Sequence, residues 1–147
     1  MRREAIRETL YQLELKRRRL LQPYFAELGL ASGQPRILNC LFTHPDGLTQ
    51  RELAERCGLD TTSLSRALDK LEEVGLVSRA PHEESRRANL IGLTTAGEEK
   101  ARAVASRFSN MDEVLCWGLS DGELEGLLKG LERLEENLDG VKELHIQ

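Results

Sequence analysis

No stretch of about 18 uncharged apolar residues occurs anywhere in the 147 residues, which excludes a membrane-spanning helix of ordinary length. Met1-Arg2-Arg3-Glu4 leads into charged amphipathic sequence rather than the apolar core of a signal peptide, so a soluble, cytoplasmic chain with no membrane partner is expected. Cysteine is scarce. Cys40, Cys57 and Cys116 are odd in number, widely spaced and never arranged as CxxC, which argues against a disulfide framework or a zinc ribbon and for reduced thiols. His44, His82 and His145 share no ligand spacing with each other or with a cysteine, so no metal is expected and they read as surface histidines. There is no glycine-rich phosphate loop, metal-ligand cluster or nucleophile motif, and hence no sign of an enzyme or of a cofactor. Internal repeats and low-complexity linkers are also missing.

What is present suits one ordinary core: 39% apolar and 31% charged residues. The net charge of -4 argues against coating nucleic acid by bulk electrostatics, but the charge is unevenly spread. Residues 1–48 hold 8 cations and 5 anions, residues 49–90 hold 7 and 8, residues 91–119 hold 3 and 4, and residues 120–147 hold 3 and 8. The acidity is mostly C-terminal. If the nearly neutral middle meets DNA, it must use a few well-placed cations and helix N-termini.

Ile6, Leu10, Leu13, Leu20, Leu21, Tyr24 and Phe25 recur at mostly three- and four-residue steps and predict an amphipathic helix over 4–28, with Pro23 set to kink or divide it. Gly29 to Gly33 breaks the pattern. Ser32 or Gly33 then opens a helix through Ile37, Leu38, Leu41 and Phe42, ended by the turn signal His44-Pro45-Asp46-Gly47. Thr49 with Glu52 forms a capping box for a third helix, which Gly58 stops. Asp60 caps a fourth, with Leu64, Ala67, Leu68, Leu71 and Val74 on one face up to Gly75. Two β-prone runs, 76–79 and 88–91, read as a hairpin with an extended loop over Pro81 to Arg87. Thr95 with Glu98, and Ser120 with Glu123, are capping boxes for two more helices. In the last, Leu124, Leu127 or Leu128, Leu131, Leu134, Leu138 and Val141 recur close to every 3.5 residues, more apolar stripe than a terminal helix needs unless something covers it.

Two short helices around a glycine turn, followed by a hairpin, are the order of a winged helix-turn-helix. The polar face of the fourth helix has the matching chemistry. Thr61, Thr62, Ser63, Ser65 and Arg66 crowd its first turns, where short hydroxyls allow close approach and an arginine can bond guanine edges or phosphate. Asp69, Glu72 and Glu73 would repel phosphates, so only the N-terminal half can enter the major groove. Arg79 at the base of the hairpin, and Arg86 and Arg87 near its tip, are placed to reach the DNA backbone or minor groove.

Leu48-Thr49-Gln50-Arg51-Glu52-Leu53-Ala54, Thr61 to Gly75, Leu76-Val77-Ser78-Arg79, and Arg86 through Gly97 together resemble the MarR family of bacterial regulators, in detail over about residues 34–98. By that resemblance the helix at 61–74 is the recognition helix, Arg87 matches the wing-tip arginine of the family's Asp-x-Arg motif, and Leu93-Thr94-x-x-Gly97 closes the wing. Ser85 stands where the family usually has the wing aspartate, which leaves Glu83 or Glu84 to supply the bracing acid. The resemblance further implies a homodimer that reads an inverted repeat in double-stranded DNA, commonly as a repressor released by a small apolar or aromatic ligand.

The expected fold is mostly α (α+β): a winged helix-turn-helix over 31–98, between dimerising helices at 1–30 and 99–147. Two other readings stand beside the regulator. One is a winged-helix interaction adaptor that does not bind DNA, which the near-neutral middle permits but Arg66, Arg86 and Arg87 count against. The other is a thiol-based redox regulator, against which Cys40 and Cys57 read as packing residues on inward faces, leaving Cys116 beside Trp117 as the reactive thiol. The run Lys16-Arg17-Arg18-Arg19 reads as a solvated helix face.

Overall fold

A computed structural model describes residues 1–82 and 85–144, with the side chains of 81–89 outside the description. Among the described residues nine elements follow one another: α1 (Arg2–Glu27), α2 (Gln34–Phe42), β1 (Leu48–Thr49), α3 (Gln50–Cys57), α4 (Thr61–Glu73), β2 (Val77–His82), β3 (Ser85–Leu93), α5 (Thr95–Cys116) and α6 (Asp121–Leu138). The mostly helical winged helix-turn-helix read from the sequence is the fold observed. The chain forms two compact units, Met1–Met111 and Asp112–Gln147.

The first unit is built on one leucine-rich core. Ile37, Leu38 and Leu41 of α2, Leu53 of α3, Leu64, Leu68 and Leu71 of α4, and Ile91 of β3 are buried together with Ala101 and Val104 of α5. Each helix turns a three- or four-residue apolar stripe to this point, which is why short helices hold here without long intrinsic stability. The helix-turn-helix is punctuated as its residues require. Thr49 and Glu52 form the full capping box at α3, and Gly58 (φ 63°) ends that helix in the left-handed region, where its N–H and that of Leu59 satisfy the last carbonyls. Asp60 caps α4.

The sheet is antiparallel, in the order β1-β3-β2. Leu48 pairs with Ile91, while Val77 pairs with Leu93 and Arg79 with Ile91. Three expectations need correction. The loop read over Pro81 to Arg87 is largely strand, since pairing continues through Pro81 with Asn89 to His82 with Ser85. Edge strands tolerate proline, and β2 is an edge strand whose register shifts between Pro81 and His82. Pro23 lies inside α1 without dividing it, because a single lost i→i−4 bond does not outweigh the flanking turns. The cap of α5 is Thr94 and not Thr95. The Thr94 hydroxyl accepts the N–H of Gly97 at 3.0 Å and donates to the carbonyl of Gly75 at 2.6 Å, so the cap that also ties back to α4 prevails.

Gly97 is required by that tie. A Cβ at this position would stand 1.8 Å from the Leu76 carbonyl oxygen, which backbone atoms cannot yield. The C-terminal part of α1 is fastened to α5 within the same unit: Lys100 Nζ donates to the Leu28 carbonyl at 2.8 Å, Phe25 meets Phe108 edge to face at 5.4 Å, and the Arg107 guanidinium lies 4.3 Å from the Tyr24 ring centroid.

In the second unit, Ser120 and Glu123 complete their capping box and α6 ends at Leu138, so Val141 falls beyond the helix. None of the residues of α6 is buried, and Leu127, Leu128, Leu131, Leu134 and Leu138 are all exposed. Ile6, Leu10, Leu13 and Leu20 of α1 are exposed as well. Among the described residues no helix is long and apolar enough to cross a membrane.

Replacing Gly97 with Ala is expected to cost about 3 kcal/mol or more, lowering the melting temperature by roughly 6–12 °C. The same change at Gly92, whose added Cβ would meet nothing within 4 Å, serves as the control. Thermal unfolding of both variants checks this, and a Gly97 variant as stable as the Gly92 variant would mean that α4 and α5 can separate at no cost.

Candidate nucleic-acid interface

Helix α4 divides cleanly into two faces. Leu64, Leu68 and Leu71 anchor it in the core, which leaves Thr61, Thr62 and Arg66 exposed and Ser65 half-buried along the opposite side. Residues 62, 65, 66 and 69 fall on one stripe by their three- and four-residue spacing. Among the described residues no carboxylate pairs with Arg66, so its guanidinium is available to a base edge or a phosphate.

Ser63 has a different employment. The Asp60 carboxylate accepts the Ser63 N–H at 2.7 Å and the Ser63 hydroxyl at 2.9 Å. These bonds, first the backbone N–H and then the hydroxyl, hold the Asp60 carboxyl below its ordinary value of 3.8. A negative charge therefore already sits at the N-terminus of α4. A phosphate approaching this helix end would have to compete with it.

Arg79, read from the sequence as a cation at the base of the hairpin, is engaged within the chain. Strand parity places it on the same side as Val77 and opposite Ile91, the side that meets α4. Its Nη2 bonds Asp69 Oδ1 at 3.1 Å. Its Nε lies 3.3 Å from Glu72 Oε2, a charge contact whose geometry falls short of a hydrogen bond. Arg79 thus joins the wing to the recognition helix, and two carboxylates that read as repelling phosphate are spent on it. The signal was available in principle: Val77 and Arg79 are two apart in a strand, and Asp69 and Glu72 are three apart on a helix. Arg86 and Arg87 lie in β3, but their side chains are outside the described residues, as are Glu83 and Glu84, the candidate wing acids.

Beside this face, the first turns of α3 and α4 enclose an open crevice of about 570 Å³ lined by Gln50, Arg51, Glu55, Leu59, Asp60 and Thr61. Its cation, Arg51, contacts Glu55 at 3.4 Å. Among the described residues no three His, Cys, Asp or Glu side chains gather as metal ligands.

A helix-turn-helix with a polar recognition face and a braced wing narrows the comparison to known DNA-binding folds. The model of the MarR family matches residues 28–88. The HTH-type transcriptional repressor YetL of Bacillus subtilis is 33% identical over 92% of this chain and 81% of its own length. The chain belongs to the MarR family. Its fold agrees with solved members. The transcriptional regulator PA3341 superposes with a TM-score of 0.85 at 30% identity, covering 92% of this chain and 99% of that one. MepR of S. aureus, in a crystal structure described as a MepR–DNA complex, superposes with a TM-score of 0.80 at 25% identity, over 89% of this chain and 96% of that one.

The capping role of Asp60 in this MarR-family helix has a pH signature. Its folded-state pKa is depressed, so its stabilisation is present above about the ordinary value of 3.8 and is lost as pH falls through the lower folded value. Asp60→Asn keeps a capping oxygen that does not titrate. The wild type is expected to lose stability relative to Asp60→Asn as pH is lowered from 5 towards 3, measured by urea unfolding at each pH. Parallel stability curves would remove the charge on Asp60 from the account.

Proposed function

We propose that this chain is a sequence-specific transcriptional regulator that binds double-stranded DNA as a homodimer and represses transcription. One observation carries the reading above all: a polar stripe of exposed Thr61, Thr62 and Arg66 with half-buried Ser65, on a helix whose other face is anchored in the core, next to a wing held by Arg79. An anchored helix presents its side chains in one register, and register is what distinguishes base readout from general adhesion to phosphate. The relatives point the same way, one named as a repressor and one solved in complex with DNA.

In this reading Thr61, Thr62, Ser65 and Arg66 meet base edges and flanking phosphates in the major groove. Ser63 contributes an acceptor oxygen, because its hydroxyl proton is committed to Asp60. Arg86 and Arg87 bind phosphate or minor groove from the wing, and Arg79 positions that wing without touching DNA. The dimer places two recognition helices on half-sites one helical turn (~34 Å) apart. It is supported by the exposed leucines of α6 and the exposed apolar residues of α1, which a single chain leaves to water. The domain roles follow: residues 1–30 and 99–147 for pairing, 31–98 for DNA. Release by a small apolar or aromatic ligand rests on family resemblance alone. The role is binding rather than catalysis, with the cytoplasm as the place where the DNA is met.

Selection of bound duplexes from a random pool at two salt concentrations tests the reading, with an enriched inverted repeat as the expected result. On the selected duplex, Arg66→Ala should weaken binding by about 1–3 kcal/mol, roughly 5- to 150-fold, and relax preference at one base pair. Arg87→Ala should weaken binding to all sequences alike and reduce the salt slope by about 1. Equal affinity profiles for the three proteins would sink the assignment.

For pairing, Leu127→Glu combined with Leu131→Glu should sediment as a monomer and lose affinity for the full repeat more than for a half-site. A dimer that survives both substitutions removes α6 from the contact.

A further inference from the structure

Asp69 stands one helical turn beyond Ser65 and Arg66 on the polar stripe of α4, and its side chain is 65% exposed. A bare carboxylate on this surface would be repelled by DNA phosphates. This one is held by a cation. Arg79 Nη2 donates to Asp69 Oδ1 at 3.1 Å, whereas Glu72 receives only the looser Nε contact at 3.3 Å. The Arg79 side chain is 25% exposed, so the donor is a fixed one, seated between wing and helix. Glu73, the next residue on the stripe, has no cation partner among the described residues and lies in the last turn of α4. The compensated part of the stripe therefore ends at Asp69.

We propose, on the reading of this chain as a sequence-specific DNA-binding protein, that Asp69 accepts a hydrogen bond from cytosine N4 in the major groove, with Arg79 as the residue that positions it. Among the described residues Oδ1 is committed to Arg79 and Oδ2 has no partner, so one acceptor is left for DNA. Its orientation is set before DNA arrives, and a side chain already fixed loses little freedom on binding.

The chemistry of the groove selects the base. Its only hydrogen-bond donors are cytosine N4 and adenine N6. In an A·T pair the N6 donor lies between two acceptors, adenine N7 and thymine O4, which repel a carboxylate from both sides. In a C·G pair the N4 donor has an acceptor, guanine O6, on one side only. A carboxylate therefore favours cytosine, as the Arg66 guanidinium one turn earlier favours guanine. Residues 66 and 69 are separated by about 4.5 Å along the helix axis, against ~3.4 Å per base pair, which puts the cytosine within about two base pairs of the position read by Arg66.

Parallel selections from the random duplex pool with the full-length wild type, Asp69→Asn and Asp69→Ala test this, with thermal unfolding to show that all three are folded. The wild type should enrich cytosine at one position of each half-site, within two base pairs of the position where Arg66→Ala relaxes preference. Replacing that base pair should weaken wild-type binding roughly 5- to 150-fold. Asp69→Asn should move the preference there to adenine, whose N6 and N7 an amide bonds together, and Asp69→Ala should show none, with the other positions unchanged. As a positioning residue, Arg79 should lose the cytosine preference when replaced by Ala and regain part of it when replaced by Lys. A motif shared at every position by the wild type and both Asp69 variants would overturn the proposal and leave the DNA-binding reading standing. A wild type that enriches no motif would overturn both.

Discussion

The Thr94 hydroxyl holds the DNA-reading part of this protein together. It gives its proton to the carbonyl of Gly75, just past the end of the recognition helix, and takes the N–H of Gly97, at the start of α5. The Thr94 N–H bonds the Leu76 carbonyl at 3.1 Å, and Gly97 lies against that same carbonyl. The wing therefore leaves the body of the protein at Leu76 and returns to it at Thr94, a single point. A hairpin anchored in this way can extend into solvent without loosening the helix beside it, since its two ends are joined by the Thr94 N–H to Leu76 carbonyl bond as well as by the Thr94 hydroxyl.

Given that anchor, the remaining contacts have clear purposes. Val77 and Ile91 bury one side of the hairpin in the core, and the next residue of the same parity, Arg79, reaches the edge of that core and meets Asp69 and Glu72. These are partly exposed ion pairs whose contribution to stability is small. Their consequence is orientation, because they set the angle between wing and recognition helix.

The near balance of 7 cations and 8 anions over residues 49–90 gives a misleading picture of the interface. Five of these acids are turned to internal use: Glu52 in the α3 capping box, Glu55 against Arg51, Asp60 at the α4 cap, and Asp69 and Glu72 on Arg79. What faces outward from the first half of α4 is hydroxyl and guanidinium. Local pairing, rather than the sum of charges, determines the field a DNA backbone would meet.

Helix positions, the capping boxes at Thr49 and Ser120, the Asp60 cap, the glycine stops at Gly58 and Gly75, and the polar stripe from Thr61 to Arg66 were all legible in the sequence. Each depends on residues within a turn or two of one another, and such short-range chemistry is written in order along the chain. Only the tertiary structure decided the rest. That Thr94 and not Thr95 caps α5 depends on Gly75, nineteen residues away, as its second partner. That Arg79 braces the wing against Asp69 and Glu72 depends on which side of the sheet meets α4. These are pairings across space, where one residue's role is set by a partner that local sequence does not name.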